Sequence, residues 1–255
     1  MSESLKNKTA LVTGASTGLG LSIACELARR GARVALNYAN NEERAGRAFV
    51  QLEAAAAEGS GAAFLVRADA TTEEGVNSMV ESTTDAIGTP DIVVLNATCE
   101  QPQLPIEEYD WAFYQRMLDF FIKSPYLLTR ALLPHMKAQR YGRIINIGSE
   151  VFDRGLPNFS AYTAAKGGQR GWNRSMATEL APWQITVNMV SPGWIPVERH
   201  ENDPQEMKDG YLAGVPMGRW GVPQDIAEAV AYLAGDGAAF VTGQTLIVNG
   251  GNTVN

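Results

Sequence analysis

Short continuous apolar runs alternate along the chain with longer stretches in which apolar residues recur every three or four positions. Runs at 9–12, 33–37, 63–66, 92–95, 143–147, 186–190 and 245–248 predict strands. They lack the in-and-out alternation of a half-exposed sheet, so both faces are expected to be buried. The intervening periodic stretches predict helices over 19–30, 42–57, 72–87, 106–139, 161–180 and 223–234. Repeated strand–helix–strand units with right-handed crossovers give an α/β fold, a doubly wound parallel sheet of about seven strands with helices on both faces. No linker, low-complexity tract or repeat period divides the 255 residues, so a single domain over 1–255 is expected. The least regular stretch, 192–221, is rich in Pro, Gly and charge and follows a strand, where open α/β sheets hold their ligand crevice. A loop that long is expected to be functional, as a substrate lid.

Composition narrows the function classes. With 45% hydrophobic and 19% charged residues the chain is ordinary for a protein with a sizeable core. Its net charge of −7 supplies no electrostatic footprint for nucleic acid or an anionic membrane. No run of about 18 apolar residues is present to span a bilayer. Residues 1–8 lack the apolar centre of a signal peptide, so a cytoplasmic location is expected. Two cysteines are too few for a disulfide framework, and Cys25 reads as a small buried hydrophobe. The two histidines have no ligand spacing, so no metal site is expected.

The first strand runs into Thr13-Gly14-Ala15-Ser16-Thr17-Gly18-Leu19-Gly20 and then a helix. Glycines there permit a tight turn and close approach to a pyrophosphate, which the helix N-terminus attracts. The spacing, T-G-x-x-x-G-x-G, is more specific than a glycine-rich turn alone. Asp69 closes the third strand, Asn96-Ala97 ends the fourth, and Ser149 precedes Tyr162 by thirteen residues. Tyr162 opens Tyr-Thr-Ala-Ala-Lys166, a Y-x-x-x-K pattern, and Ser191-Pro192-Gly193 and Val248-Asn249-Gly250-Gly251 follow. In register along nearly the whole length, these motifs resemble the short-chain dehydrogenase/reductase family.

That resemblance implies a Rossmann-like NAD(P)(H)-dependent oxidoreductase moving a hydride between nicotinamide and a small carbonyl or alcohol. It carries over Ser149, Tyr162 and Lys166 as catalytic residues. The implied nucleotide contacts are Gly14, Ser16, Thr17, Gly18, Leu19 and Gly20 in the turn, and Tyr38, Asp69, Ala70 and Asn96 at strand ends. Tyr162, Lys166, Pro192, Gly193 and Ile195 complete them. Tyr162 and Lys166 share a helical face at i and i+4, so the ammonium is expected to lower the phenol's pKa and tune it as general acid/base. By resemblance, Lys166 also holds the nicotinamide ribose, and Ser149 hydrogen-bonds the substrate oxygen.

Several positions depart from the family pattern. Phe121 replaces an Asn whose helix carbonyl holds a water relaying protons to the lysine. Pro125, lacking an N–H, leaves the Phe121 carbonyl without its helical donor. Either that carbonyl holds the relay water itself, or the helix is merely kinked and the relay lost. Asp119 and Lys123 read as a solvated ion pair. Val197 stands where the family usually has Thr, and Thr98 replaces a glycine beside the cofactor. The second strand ends Leu36-Asn37-Tyr38-Ala39-Asn40, with no acid to bind a ribose 2′-hydroxyl, which allows NADP(H) and gives it a weak preference over NAD(H). Thr17 and Ala39 occupy positions where NADP-using members often carry Arg.

Trp194, Phe152 and Phe159 fall where the family builds its substrate pocket. Glu150, Asn158, Glu198, Arg199 and His200 add polar groups near its mouth, so a small polar carbonyl or polyol is expected. Overall resemblance is greatest to 3-oxoacyl carrier-protein reductases and sugar or polyol dehydrogenases, although Lys208 and Arg219 are sparse material for docking an acidic carrier. A cofactor-binding protein with catalysis weakened by Phe121, or redox-neutral lyase or dehalogenase chemistry, are the competing readings. The helices at 106–139 and after Tyr162 resemble the pair through which family members form homotetramers.

Overall fold

The computed structural model describes residues 4–254. Seven parallel strands form one sheet in the order β3-β2-β1-β4-β5-β6-β7. They are β1 (Thr9–Val12), β2 (Arg33–Tyr38), β3 (Ala62–Arg67), β4 (Ile92–Leu95), β5 (Gly142–Ile147), β6 (Ile185–Pro192) and β7 (Thr245–Val248). The order reverses between β1 and β4, so the carboxyl ends of these two strands open the ligand crevice. Successive residues of each strand enter opposite layers. Ala10, Val12, Val34, Leu36, Ile92 and Val94 pack against α1 (Gly18–Arg29), α2 (Glu42–Gly59) and α9 (Pro223–Ala234). Leu11, Ala35, Val93 and Ile144 pack against α3 (Glu73–Ile87), α5 (Ser124–Gln139) and α7 (Ser160–Leu180). This two-sided burial produced the continuous apolar runs.

The expected helix over 106–139 is instead four pieces. A 3-10 turn, Ile106–Glu108, ends at extended Tyr109. Asp110 then caps α4 (Trp111–Leu118), its carboxylate accepting the Phe113 N–H at 2.7 Å. Residues Asp119–Lys123 form a π turn in which the Ser124 N–H reaches the Asp119 carbonyl, and α5 follows with Pro125 in its first turn. Pro125 has no N–H with which to close an α turn on Phe121, and the widened turn absorbs that loss. The Asp119–Lys123 ion pair does not form among the described residues. Gln115, one turn earlier, holds the Asp119 carboxylate at 3.1 Å.

The stretch 192–221 is also more regular than expected. It contains a 3-10 turn, Glu198–His200, and a helix α8 (Gln205–Ala213) entered from Pro204 and closed at Gly214. Phe113, Met117, Phe121, Val151, Phe159, Ala161, Tyr162 and Ala165 form a third apolar cluster, separate from the two sheet layers. Val151 comes from the short α6 (Val151–Arg154).

The crevice depends on α1 lying tight against β1 and β4. A Cβ on Gly20 would stand 2.5 Å from Asn96 Nδ2 and 2.7 Å from the Gly14 carbonyl oxygen. Gly20→Ala should therefore push α1 off the sheet and cost about 1–3 kcal/mol, measured as a lower midpoint in thermal unfolding; an unchanged midpoint would refute the tight packing.

Candidate active site

The glycine-rich turn after β1 is braced from three strands. Gly14 is left-handed (φ 61°), and a Cβ there would meet Ala97 Cα at 2.8 Å. Asn96 Nδ2 donates to the Thr13 and Gly14 carbonyls at 2.9 and 3.0 Å, while Thr13 Oγ1 accepts the Asn96 and Ala97 N–H groups. From β2, buried Asn37 accepts the Gly14 N–H on Oδ1 and the Ala15 N–H on its carbonyl, and its Nδ2 reaches the Ala68 carbonyl. Thr17 caps α1 in an extended conformation without a side-chain bond, and the first turn carries no acid. The leading N–H groups of Gly18, Leu19 and Gly20 thus have no side-chain acceptor, a polarity that fits a nucleotide phosphate.

The other expected nucleotide contacts ring the same crevice. Tyr38 is buried at the end of β2, and Ser16 is buried with its hydroxyl accepting from Arg44 Nε at 3.3 Å. Asp69 is exposed, its Oδ1 taken by the N–H and hydroxyl of Thr71; Ala70 beside it is buried. Pro192 and Ile195 are buried, and the Gly193 N–H bonds the Val248 carbonyl at 3.1 Å.

Helix α7 brings Tyr162 and Lys166 into the third apolar cluster. The Tyr162 ring meets Phe159 at 5.2 Å and Phe121 edge-on at 5.4 Å between centroids. Burial pushes the phenol's pKa up, opposed by the nearby Ser149 hydroxyl and by the Arg199 charge. Ser149, half-buried, also accepts the Val151 N–H at 3.3 Å. The expected lowering of Tyr162 by Lys166 is overturned. Lys166 Nζ lies 5.7 Å from the Tyr162 ring centre and directs its hydrogens elsewhere, to the Ile147 carbonyl at 2.6 Å and Gln169 Oε1 at 3.1 Å. The Phe121 ring face covers the ammonium at 3.7 Å. Lys166 is 4% exposed, and that burial holds its pKa well below the usual lysine value.

Of the expected pocket residues, Glu150 is buried and bonded within the protein. Its buried carboxylate accepts Asn249 Nδ2 at 2.9 Å, Asn252 Nδ2 at 3.2 Å and Arg154 Nη1 at 3.1 Å, clamping the C-terminal segment to the stretch after β5. Phe159 lies against Tyr162, whereas Phe152 is turned outward with Arg170 stacked on it at 5.0 Å. Trp194 meets His200, Tyr211 and Trp220 edge-on. Cavities of about 500 and 800 Å³ flank the stretch 192–221, the first lined by Trp194, Tyr211 and Met217, the second by Cys25, His200 and Lys208. Neither lining includes Ser149, Tyr162 or Lys166. Arg219 is held in both oxygens of Asp225, and Lys208 on the Glu201 carbonyl. Among the described residues, no group of three His, Cys, Asp or Glu could hold a metal ion, and no helix is long and apolar enough to cross a membrane.

Residues 14–253 match the family model described as Enoyl-(Acyl carrier protein) reductase. The chain is 39% identical to the 3-oxoacyl-(acyl-carrier-protein) reductase FabG of Pseudomonas aeruginosa over 248 residues, 97% of this chain and 98% of that one. Its counterpart in Staphylococcus aureus is 37% identical over 96% of this chain and 97% of its own length. The chain belongs to the short-chain dehydrogenase/reductase family. A solved short-chain dehydrogenase/reductase of Serratia marcescens, in a mutant form, superposes with a TM-score of 0.88 at 32% identity, covering 98% of this chain and 99% of that one.

As a short-chain dehydrogenase/reductase the chain is an NAD(P)-dependent oxidoreductase. Its departures from the family pattern now have positions. Thr98 is exposed, its hydroxyl bonded to the Cys99 carbonyl, and Val197 would lie 3.4 Å from a Cβ on Gly18. Cys99 packs on the cluster around Tyr162 and Phe121. Four useful residues escaped the sequence reading: Arg44 and Arg67 at the β2 end, and Asn37 and Gln169. Arg67 Nε donates to the Ala39 carbonyl at 3.2 Å.

The clamp around Glu150 predicts an alkaline limit. Tyr211 is pushed up to about 12, chiefly by burial, and its hydroxyl accepts the Trp194 N–H at 2.8 Å beside Glu150. Tyr141 is likewise pushed up to about 12. A raised acid binds its proton more tightly when folded, so this stability is whole below the unfolded value near 10 and drains as pH rises through about 12. Thermal midpoints taken from pH 9 upward should fall over that window, and less steeply in Tyr211→Phe; equal slopes would contradict the assignment.

Proposed function

We propose that the chain reduces a small carbonyl compound with NADPH, Tyr162 donating the proton and Ser149 holding the carbonyl oxygen. The observation that carries this reading is the buried Tyr162 phenol set near the Ser149 hydroxyl at the crevice end of the sheet, together with a glycine turn whose helix N–H groups lack acceptors. Bound nicotinamide would supply the hydride. The chain's own part is position and charge. Gly18, Leu19 and Gly20 would hold the pyrophosphate, Tyr38, Asp69, Ala70 and Asn96 the adenosine, and Pro192, Gly193 and Ile195 the nicotinamide. Burial keeps the Tyr162 phenol protonated in neutral solution, the form that can give a proton to a developing alkoxide. Ser149 steadies the same oxygen. Lys166 contributes its positive charge behind the ring.

The preference for NADPH rests on two guanidinium groups and a missing acid. Arg44, on Ser16, and Arg67, on the Ala39 carbonyl, flank the end of β2, where no carboxylate would repel a 2′-phosphate. Arg44→Ala should raise the KM for NADPH roughly tenfold while leaving that for NADH nearly unchanged, as expected when one charge-assisted bond is lost. Equal effects on both nucleotides would remove Arg44 from this role.

A 3-oxoacyl thioester is the second reading, supported by the two curated relatives named as 3-oxoacyl-(acyl-carrier-protein) reductases. We also propose a homotetramer, built through α4–α5 and α7 and supported by exposed Trp111 and Tyr126 on those helices; light scattering reads its mass directly. NADPH oxidation should be followed with acetoacetyl-coenzyme A, simple ketones and sugars. Tyr162→Phe should lower kcat by about 10²–10⁴. Because the phenol is raised, wild-type reduction should hold through neutral pH and decline only as pH passes its ordinary value near 10. No oxidation with any member of the panel, or full activity in Tyr162→Phe, would overturn the proposal.

A further inference from the structure

The core-facing stripe of α7 is polar where a helix against a sheet is ordinarily apolar. Tyr162, Lys166, Gln169 and Asn173 follow one another at spacings of four, three and four, all buried. Gln169 is 1% exposed, and Asn173 and Asn146 of β5 are fully buried. Gln169 Nε2 donates to Asn146 Oδ1 at 3.3 Å, and Asn146 Nδ2 to Asn173 Oδ1 at 3.0 Å. Asn173 Nδ2 has no partner. Burying three amides, one incompletely bonded, costs stability that an apolar trio would not. The one ion that this row touches is Lys166.

An amide offers an acceptor at one end and donors at the other, so committing Nε2 of Gln169 to Asn146 turns its Oε1 toward the ammonium. The Ile147 carbonyl takes a second N–H, and the face of Phe121 closes the remaining side. We infer that Gln169 and Phe121 are positioning residues that hold Lys166 as a dry, fixed cation. The Gln169–Asn146–Asn173 row orients the acceptor, and the aromatic ring stands between the ammonium and water. In this arrangement Lys166 acts on the site through charge and location, with no water line leading from its Nζ past Phe121. The other charged or titratable groups reaching it are Tyr162 on its own helix, Cys99 from the segment after β4, and Arg199 from the substrate loop.

This inference deepens the reading of Lys166 as the cation behind Tyr162, but it is testable without turnover. The full-length, nucleotide-free protein is labelled with limiting acetic anhydride, and the acetylation of Lys166 is compared with that of exposed Lys6 by peptide mass spectrometry. In the wild type Lys166 should react at least about tenfold more slowly than Lys6. Gln169→Leu and Phe121→Ala should each raise the ratio by roughly tenfold, the size of one lost charge-assisted contact. Gln169→Glu, which keeps the acceptor oxygen, should leave it at or below the wild-type value. Thermal melts identify any variant that fails to fold, and the remaining variants then decide. A merely structural Gln169 would lower the melting temperature in Gln169→Leu without moving the ratio. Equal labelling of Lys166 and Lys6 in the wild type, or a ratio unmoved in both folded variants, would overturn the cage. An inactive wild type with a protected Lys166 would instead sink only the reductase reading.

Discussion

A lysine that is 4% exposed must be given acceptors for its ammonium by the protein, because the water that would otherwise solvate it is excluded. Much of the site's architecture follows from that need. The end of β5 supplies the Ile147 carbonyl, α7 supplies Gln169, and the π turn between α4 and α5 sets Phe121 over the nitrogen. Each comes from a different element, so Lys166 links the sheet to two helices. Tyr162, one turn earlier on α7, inherits its place from this anchoring and from the rings of Phe159 and Phe121.

The same economy operates at the opposite lip of the crevice. The glycine turn leaves its own helix N–H groups without acceptors, and Asn37, Asn96 and Thr13 hold its backbone from behind. Polar side chains satisfy the turn's inner face so that its outer face can remain unsatisfied. Glu150 performs a comparable service beside Ser149, exchanging solvent for Asn249, Asn252 and Arg154 and thereby tying the C-terminal segment to the stretch after β5. A carboxylate adjacent to Ser149 thus has a mechanical role.

The sheet was legible because burial on both faces writes itself as unbroken apolar runs, and all seven strands fall within two residues of where those runs predict them. The turn and the Tyr162–Lys166 pair were legible because their spacing is rigid. What escaped depends on direction rather than position. Spacing of i and i+4 puts Tyr162 and Lys166 on one face but does not say where Nζ aims its hydrogens, so the sign of the phenol's shift came out wrong. Glu150 looked available because a charged residue beside Ser149 carries no mark of burial. The breaks within 106–139 come from Asp110, a local cap, and Pro125, a missing donor, both of which an averaged periodicity smooths over. Gln169 and Asn173 did carry a signal, since they lie on the same stripe as Tyr162 and Lys166 and should have been apolar.

The replacement of the family's asparagine by Phe121 takes on a different meaning in this light. An asparagine there supports hydration beside the lysine, whereas a phenylalanine face excludes water and attracts a cation through its quadrupole. A ring alone would be a poor exchange, because it accepts far less strongly than a carbonyl or an amide oxygen. Gln169 supplies the missing acceptor from the other side, and Asn146 and Asn173 keep its amide from flipping. The aromatic substitution and the buried amide row therefore make physical sense together and little sense separately: without Gln169 the ammonium would be under-solvated, and without Phe121 the row would be serving a lysine that water could reach.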